Sequence, residues 1–187
     1  MIRLPVFIFV STSLLASVVT FEPPQWGGSG CSNTSVSWVL SPDNSSLSIL
    51  FSEFSLNAFC EMNILIYARE PNLLQVDYRG FADLPDQVIS TQRTEYALSS
   101  HQAQIRVDSF EGPNTSTYVY RHQPSVSCTG AQVLKIFVRT WLSGNSLENA
   151  SYTLDSIDLS QAHTNGAGSV FSPWIFLSSA LFYWVIY

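Results

Sequence analysis

The residues able to do chemistry are few in this chain, and their spacing is informative mainly for what it excludes. Asp77 and Arg79 stand two apart in a run of strand-like composition, so both side chains share one face. Such a pair can serve a site. A structural ion pair, or a cap before Gly80, is the reading this context favours. Asp43, Glu53, Glu61, Asp83 and Asp86 are carboxylates of the kind a glycosidase uses in pairs about 5–10 Å apart. No spacing singles out two of them, and scattered acids ordinarily solvate a surface. His101, His122 and His163 are the only histidines, and no His/Cys/Asp pattern points to metal binding or nucleophilic catalysis. No serine lies in a Gly-x-Ser-x-Gly elbow. The sequence therefore assigns no catalytic, cofactor-binding or metal-binding residue. Tyr118 and Tyr120 share a strand face, with Tyr78 and Trp141 on other strands. Exposed aromatics can stack on sugar rings, so Tyr118 and Tyr120 are the candidates for glycan stacking, against a core role for the same rings.

Three cysteines, Cys31, Cys60 and Cys128, leave three pairings open and one thiol over. Each precedes a strand-like run, which favours Cys60–Cys128. Asn33, Asn44, Asn114 and Asn149 each begin an Asn-x-Ser/Thr sequon without proline, and are candidates for N-glycosylation in a secreted chain.

The balance of residues fits that setting. Charged residues make up 12% of 187 and the net charge is −6, against a usual charged share of about 25%. Lys135 is the only lysine, and the arginines are scattered. Binding to phosphate backbones needs clustered cations, so nucleic acid is not an expected partner.

Both ends read as addresses. Met1-Ile2-Arg3 followed by an apolar run to Val19 has the form of a secretory signal peptide over 1–20, with cleavage expected after Thr20 and Ala16 as the alternative. At the other end, residues 174–187 are uncharged, lack a basic flank, and are short against the ~20 residues that span a bilayer. Upstream lies Asn165-Gly166-Ala167-Gly168. Small residues, a spacer and a hydrophobic tail form a glycosylphosphatidylinositol (GPI) signal, with Asn165 the expected attachment residue and Gly166 or Ser160 the alternatives. The expected division is leader 1–20, folded domain 21–160, small-residue stalk 161–173, and removed tail 174–187.

The elements between these ends are strands. Runs at 35–40, 47–54, 62–68, 73–78, 87–98, 101–108, 117–121, 132–142 and 152–159 are alternating or β-branched and are divided by turn residues. Within 101–108, Ala103, Ile105 and Val107 are expected to face the core. The fold class is all-β, an antiparallel β-sandwich or flattened barrel of about 8–10 strands.

Several stretches also resemble a known family. Gly28-Ser29-Gly30-Cys31, Leu40-Ser41-Pro42-Asp43, Cys60-Glu61-Met62-Asn63-Ile64 and above all Val76-Asp77-Tyr78-Arg79-Gly80 look like the "domain of unknown function 4360" family of small secreted proteins, common in fungi. The resemblance covers about 27–159. Ser32 departs from the proline that often follows the first cysteine, and Pro71-Asn72 from a Pro-x-Gly. The resemblance implies a secreted β-rich fold and brings no activity. Taken together, the sequence describes a GPI-anchored glycoprotein of the outer cell surface or cell wall with a structural, adhesive or glycan-binding role. Cell-wall glycans are its expected partners, and the membrane is reached through the lipid. An extracellular hydrolase of wall polysaccharide is the alternative.

Overall fold

The computed structural model describes residues 19–54, 56–99, 102–126, 129–145 and 147–162. Twelve strands occupy them: β1 (Val19–Phe21), β2 (Gln25–Gly27), β3 (Val36–Leu40), β4 (Ser46–Phe51), β5 (Phe59–Ala68), β6 (Asn72–Leu84), β7 (Val88–Leu98), β8 (Gln104–Glu111), β9 (Asn114–His122), β10 (Ser125–Val126), β11 (Gly130–Gly144) and β12 (Ser151–Gln161). They form two six-stranded antiparallel sheets that do not close into a barrel. The first has the order β1-β5-β11-β7-β8, with β2 also on β5; the second has the order β10-β6-β12-β4-β3, with β9 also on β6. The sandwich expected from the sequence is therefore present. The short strands β1, β2 and β10 were not legible as strands, since two or three residues carry no periodicity.

Alternation builds the core. In β5 every second residue, from Cys60 through Met62, Ile64 and Ile66 to Ala68, is buried. Leu134, Ile136 and Val138 of β11, and Leu47 and Ile49 of β4, complete an aliphatic centre between the sheets. Val19 and Phe21 are each only 1% exposed and belong to this core, with β1 paired to the end of β5. Turn chemistry sets the β3–β4 hairpin. The Asp43 carboxylate accepts from the Ser41 and Ser45 hydroxyls and the Ser45 N–H, and Asn44 takes φ 56°. Those donors, the Ser41 hydroxyl first, lower the Asp43 pKa to about 2.

One expectation is reversed. Ala103, Ile105 and Val107 are exposed, and Gln104, Asp108 and Phe110 are the half-buried positions of β8. The physical reason is that β8 is an edge strand whose inner face meets a polar seam: Asp108 accepts a hydrogen bond from His122 Nε2 at 2.7 Å. An apolar residue there would leave Nε2 of the buried imidazole without a partner.

The chain has two poles. At one lie the β4–β5 loop, the 28–35 turn and the starts of β5 and β12. At the other lie β1, the end of β5, and Ala162, whose N–H donates to the Leu73 carbonyl.

Candidate functional site

The first pole contains a groove of about 600 Å³, within the size range of small-molecule sites. Its origin is a mismatch in strand length. β12 pairs with β4 only from Ser156 to Ser160, whereas it pairs with β6 along its whole length. Residues 151–155 thus have no strand on their β4 side. The β12–β6 register shifts between Leu154 and Ser156, so Asp155 sits in a bulge and is exposed. Bulges of this kind re-aim a side chain and end a pairing.

The opposite wall is the chain that leaves β4. Phe51 and Phe54 meet edge to face at 5.3 Å and form an apolar floor. Gly30 lies against the Phe54 ring and Ala58, where a Cβ would collide with both. The Ser35 carbonyl accepts from the Ser52 N–H at 2.9 Å, tying the 28–35 turn to the loop. The Gly30 N–H to Phe59 carbonyl bond and the Phe59 N–H to Ser29 Oγ bond carry that turn onto β5.

This placement decides the disulfide. Cys31 and Cys60 are bonded with Cα atoms 5.5 Å apart, correcting the expected Cys60–Cys128 pairing. β5 and β11 are antiparallel neighbours, so their starts lie at opposite ends of the sheet, and the glycine turn brings Cys31 to the start of β5. Cys128 lies outside the described residues.

The groove is lined by Ser29, Ser32, Ser35, Ser52, Ser151 and Thr153 and by the acids Glu53 and Asp155, with no basic side chain; the Ser35 hydroxyl is taken up by Ser32 within the turn. Ser29 and Thr153 oxygens each accept from a backbone N–H, which leaves their O–H groups free to donate. Convergent donors, acceptors and an aromatic floor match the surface of a polyhydroxylated ligand.

Of the carboxylates singled out from the sequence, only Glu53 reaches this groove. Glu61 pairs with Lys135 at 2.8 Å, Asp83 accepts from Thr115 at 2.6 Å, and Asp86 is exposed in the β6–β7 turn. Asp77 is held by Arg121 through two bonds of 2.8 and 2.9 Å, and Arg79 pairs with Asp158, so both serve structural ion pairs. Arg121 draws the Asp77 carboxyl below its ordinary range. Asp155 carries no sequence signal, because its exposure depends on a bulge and a strand end 100 residues apart.

Tyr118 and Tyr120 do not form an exposed platform. Tyr118 is 3% exposed and stacks on Tyr152 at 5.0 Å, its hydroxyl donating to the Thr153 carbonyl; Tyr120 is half-buried against Phe110. The correction has a local cause. Gly80 lies opposite Tyr118, and a Cβ there would strike the Tyr118 ring and the Thr153 carbonyl. That glycine opens the room into which the ring folds.

Beside these rings runs a buried chain. The Tyr78 and Tyr96 hydroxyls are 2.8 Å apart, Tyr96 is 2.6 Å from His122 Nδ1, and His122 Nε2 reaches Asp108. The sequence resembles a base with its orienting acid. Tyr96 is 2% exposed, however, and nothing in the fold presents it to a substrate. Burial pushes both phenols well above their ordinary pKa, so the chain works as a clasp between sheets. His101 and His163 lie outside the described residues. Asn33, Asn44 and Asn149 are exposed, Asn114 is half-buried at the start of β9, and Asn165 lies outside the described residues. Among the described residues no group of three His, Cys, Asp or Glu could hold a metal ion, and no helix is long and apolar enough to cross a membrane.

Fold and groove together define a two-sheet antiparallel sandwich with a hydroxyl-rich groove at one pole. The chain belongs to the family described as Domain of unknown function (DUF4360), which matches residues 19–166. It is 27% identical over 121 residues to an uncharacterized secreted protein of Arthroderma benhamiae, covering 56% of this chain and 49% of that one, so the chain spans about half the length of this relative. Among solved structures it aligns with a complex of TmCBM61 with beta-1,4-galactotriose (TM-score 0.35, 12% identity, 76% of this chain and 91% of that one). A second alignment is with the enzymatically active domain of the bacteriophage CBA120 tailspike protein 4 (TM-score 0.31, 10% identity, 74% and 19%). At these scores neither likeness decides a ligand.

Proposed function

We propose that this is a secreted, N-glycosylated, GPI-anchored protein of the cell surface or wall that binds glycan through the polar groove. The observation that carries the reading is a groove lined by hydroxyl-bearing residues and two acids over a phenylalanine floor. Secretion is supported by the apolar leader, the Cys31–Cys60 bond, which suits an oxidising compartment, and the secreted relative. The burial of Val19, which cleavage after Thr20 would remove, supports leader cleavage after Ala16. Asn165 remains the proposed attachment residue.

Co-sedimentation with insoluble chitin, β-glucan and mannan tests the groove, using protein purified from cells expressing the full chain. Retention on at least one polymer is expected, weakened about tenfold by Asp155→Ala, since a charge-assisted hydrogen bond would be lost. No retention, or retention indifferent to both Asp155→Ala and Glu53→Gln, would sink the reading. Release by phosphatidylinositol-specific phospholipase C tests the anchor, and N-terminal sequencing tests the cleavage.

A hydrolase is the second reading, favoured by Glu53 and Asp155 lining one groove. Both are exposed, whereas a glycosidase acid is typically kept protonated by an apolar pocket, so binding is preferred. New reducing ends appearing in the bound polymer, and lost in Glu53→Gln, would reverse that preference.

A further inference from the structure

The outer face of the first sheet carries a second arrangement that the groove does not use. Register places Phe59, Arg139, Arg93 and Val107 in one row across β5, β11, β7 and β8. Two arginines thus stand directly opposite each other, which destabilises a sheet unless their charge is met. Arg93 is met by Glu95 at 2.7 Å, and in the neighbouring rows Lys135 is met by Glu61 at 2.8 Å. Arg139 is exposed and has no ion-pair partner among the described residues.

Its surroundings are flat and aromatic. Phe59 and Phe137 stack at 5.8 Å with planes 25° apart, and Phe59 is 42% exposed. Trp141 is two residues from Arg139 on the same face and half-buried. Phe59 also borders a shallow depression of about 390 Å³, where Gln25 and Asn63 offer amides.

We infer that this face is a second binding site, for an anionic glycan: Arg139 pairs with an acidic group on one sugar, while adjoining rings lie over Phe59 and Phe137 toward Gln25 and Asn63. A planar guanidinium matches a carboxylate or phosphate in two-pronged geometry, and the phenylalanine faces match the C–H faces of pyranoses. The acid is a uronic carboxylate or a sugar phosphate, which share this chemistry. The site is independent of the groove.

The test is retention of the protein, purified from cells expressing the full chain, on immobilised polygalacturonate, its fully methyl-esterified form, and a phosphorylated mannan. Retention on at least one of the two polyanions is expected. Polygalacturonate binding, where present, should vanish on esterification. Arg139→Gln should weaken polyanion binding on the order of tenfold, with the thermal midpoint nearly unchanged because the residue is exposed. Arg93→Gln should weaken it less, and Asp155→Ala not at all. Carboxylate preference identifies a uronic source and mannan preference a phosphate source. No retention on either polyanion overturns the inference. So does retention that survives esterification or Arg139→Gln, or an equal loss from Arg93→Gln, which would indicate diffuse charge attraction.

Discussion

The interior of this sandwich is made of two unlike halves. Between β5, β11, β4 and β12 it is aliphatic, with Met62, Ile64, Leu47, Ile49, Ile136 and Ile157 almost fully buried. Toward β7, β8 and β9 the inward positions are Ser90, Gln92, Thr94, Tyr96, Asp108, Tyr118, Tyr120 and His122. The first half is held by area removed from water, which is non-directional and tolerant of exchange. The second is held by directed bonds: Tyr152 to Gln92 at 3.0 Å, and the Tyr78–Tyr96–His122–Asp108 chain. There the position of each atom matters more than its volume. The polar half also abuts the groove through Tyr152, whose flanking residues line it. Strength and alignment are thus assigned to different strands of one fold.

Substitutions can break that contrast. Ile64→Ala should cost the most, about 2–5 kcal/mol in urea unfolding, because it opens a cavity in the aliphatic half. Gly80→Ala follows, at about 1–3 kcal/mol, since a methyl group must displace the Tyr118 ring and β12 backbone. It should also alter near-ultraviolet circular dichroism, reporting the tyrosine stack. Tyr96→Phe keeps the shape and removes one hydroxyl from the clasp, leaving the Tyr78 hydroxyl and His122 Nδ1 without that partner while His122 Nε2 keeps Asp108; about 1–2 kcal/mol is expected. A loss equal to that of Ile64→Ala would show the clasp to be as much a source of strength as the core. The smallest effect is a change of slope. The Asp77 carboxyl has a lowered native pKa, so its contribution is fully present above the unfolded value of about 3.9 and drains away as pH falls below it. Asp77→Asn should flatten the acid limb of the stability curve, and an unchanged limb would remove Arg121 from the account.

How far the sequence could be read follows the same division. Strands of the aliphatic half were legible because alternation is local: β5 and β12 follow their composition almost residue by residue. The inward face of β8 was misread because Asp108 turns inward to meet the buried His122, 14 residues away and on the other sheet. Tyr118 and Tyr120 were placed on one face correctly, but which way that face points depends on the room above Gly80. The groove was not legible. It arises where β4 ends while β12 continues, and that is a property of pairing rather than of any single segment. Glu53 could be named as an acid of interest, while its partner Asp155 had no signature until the bulge was seen.

The two poles of the sandwich have a consequence for how the protein would be displayed. β12 begins in the groove and runs its 11 residues to the pole where the described chain leaves, a length of about 35 Å at strand rise. A tether attached beyond Ala162, as proposed, holds the molecule by its foot and lifts the opening to the far side, facing away from the lipid. Such a molecule would reach outward from its own cell, and the length of one strand would set how far its mouth stands above the bilayer before any stalk is counted.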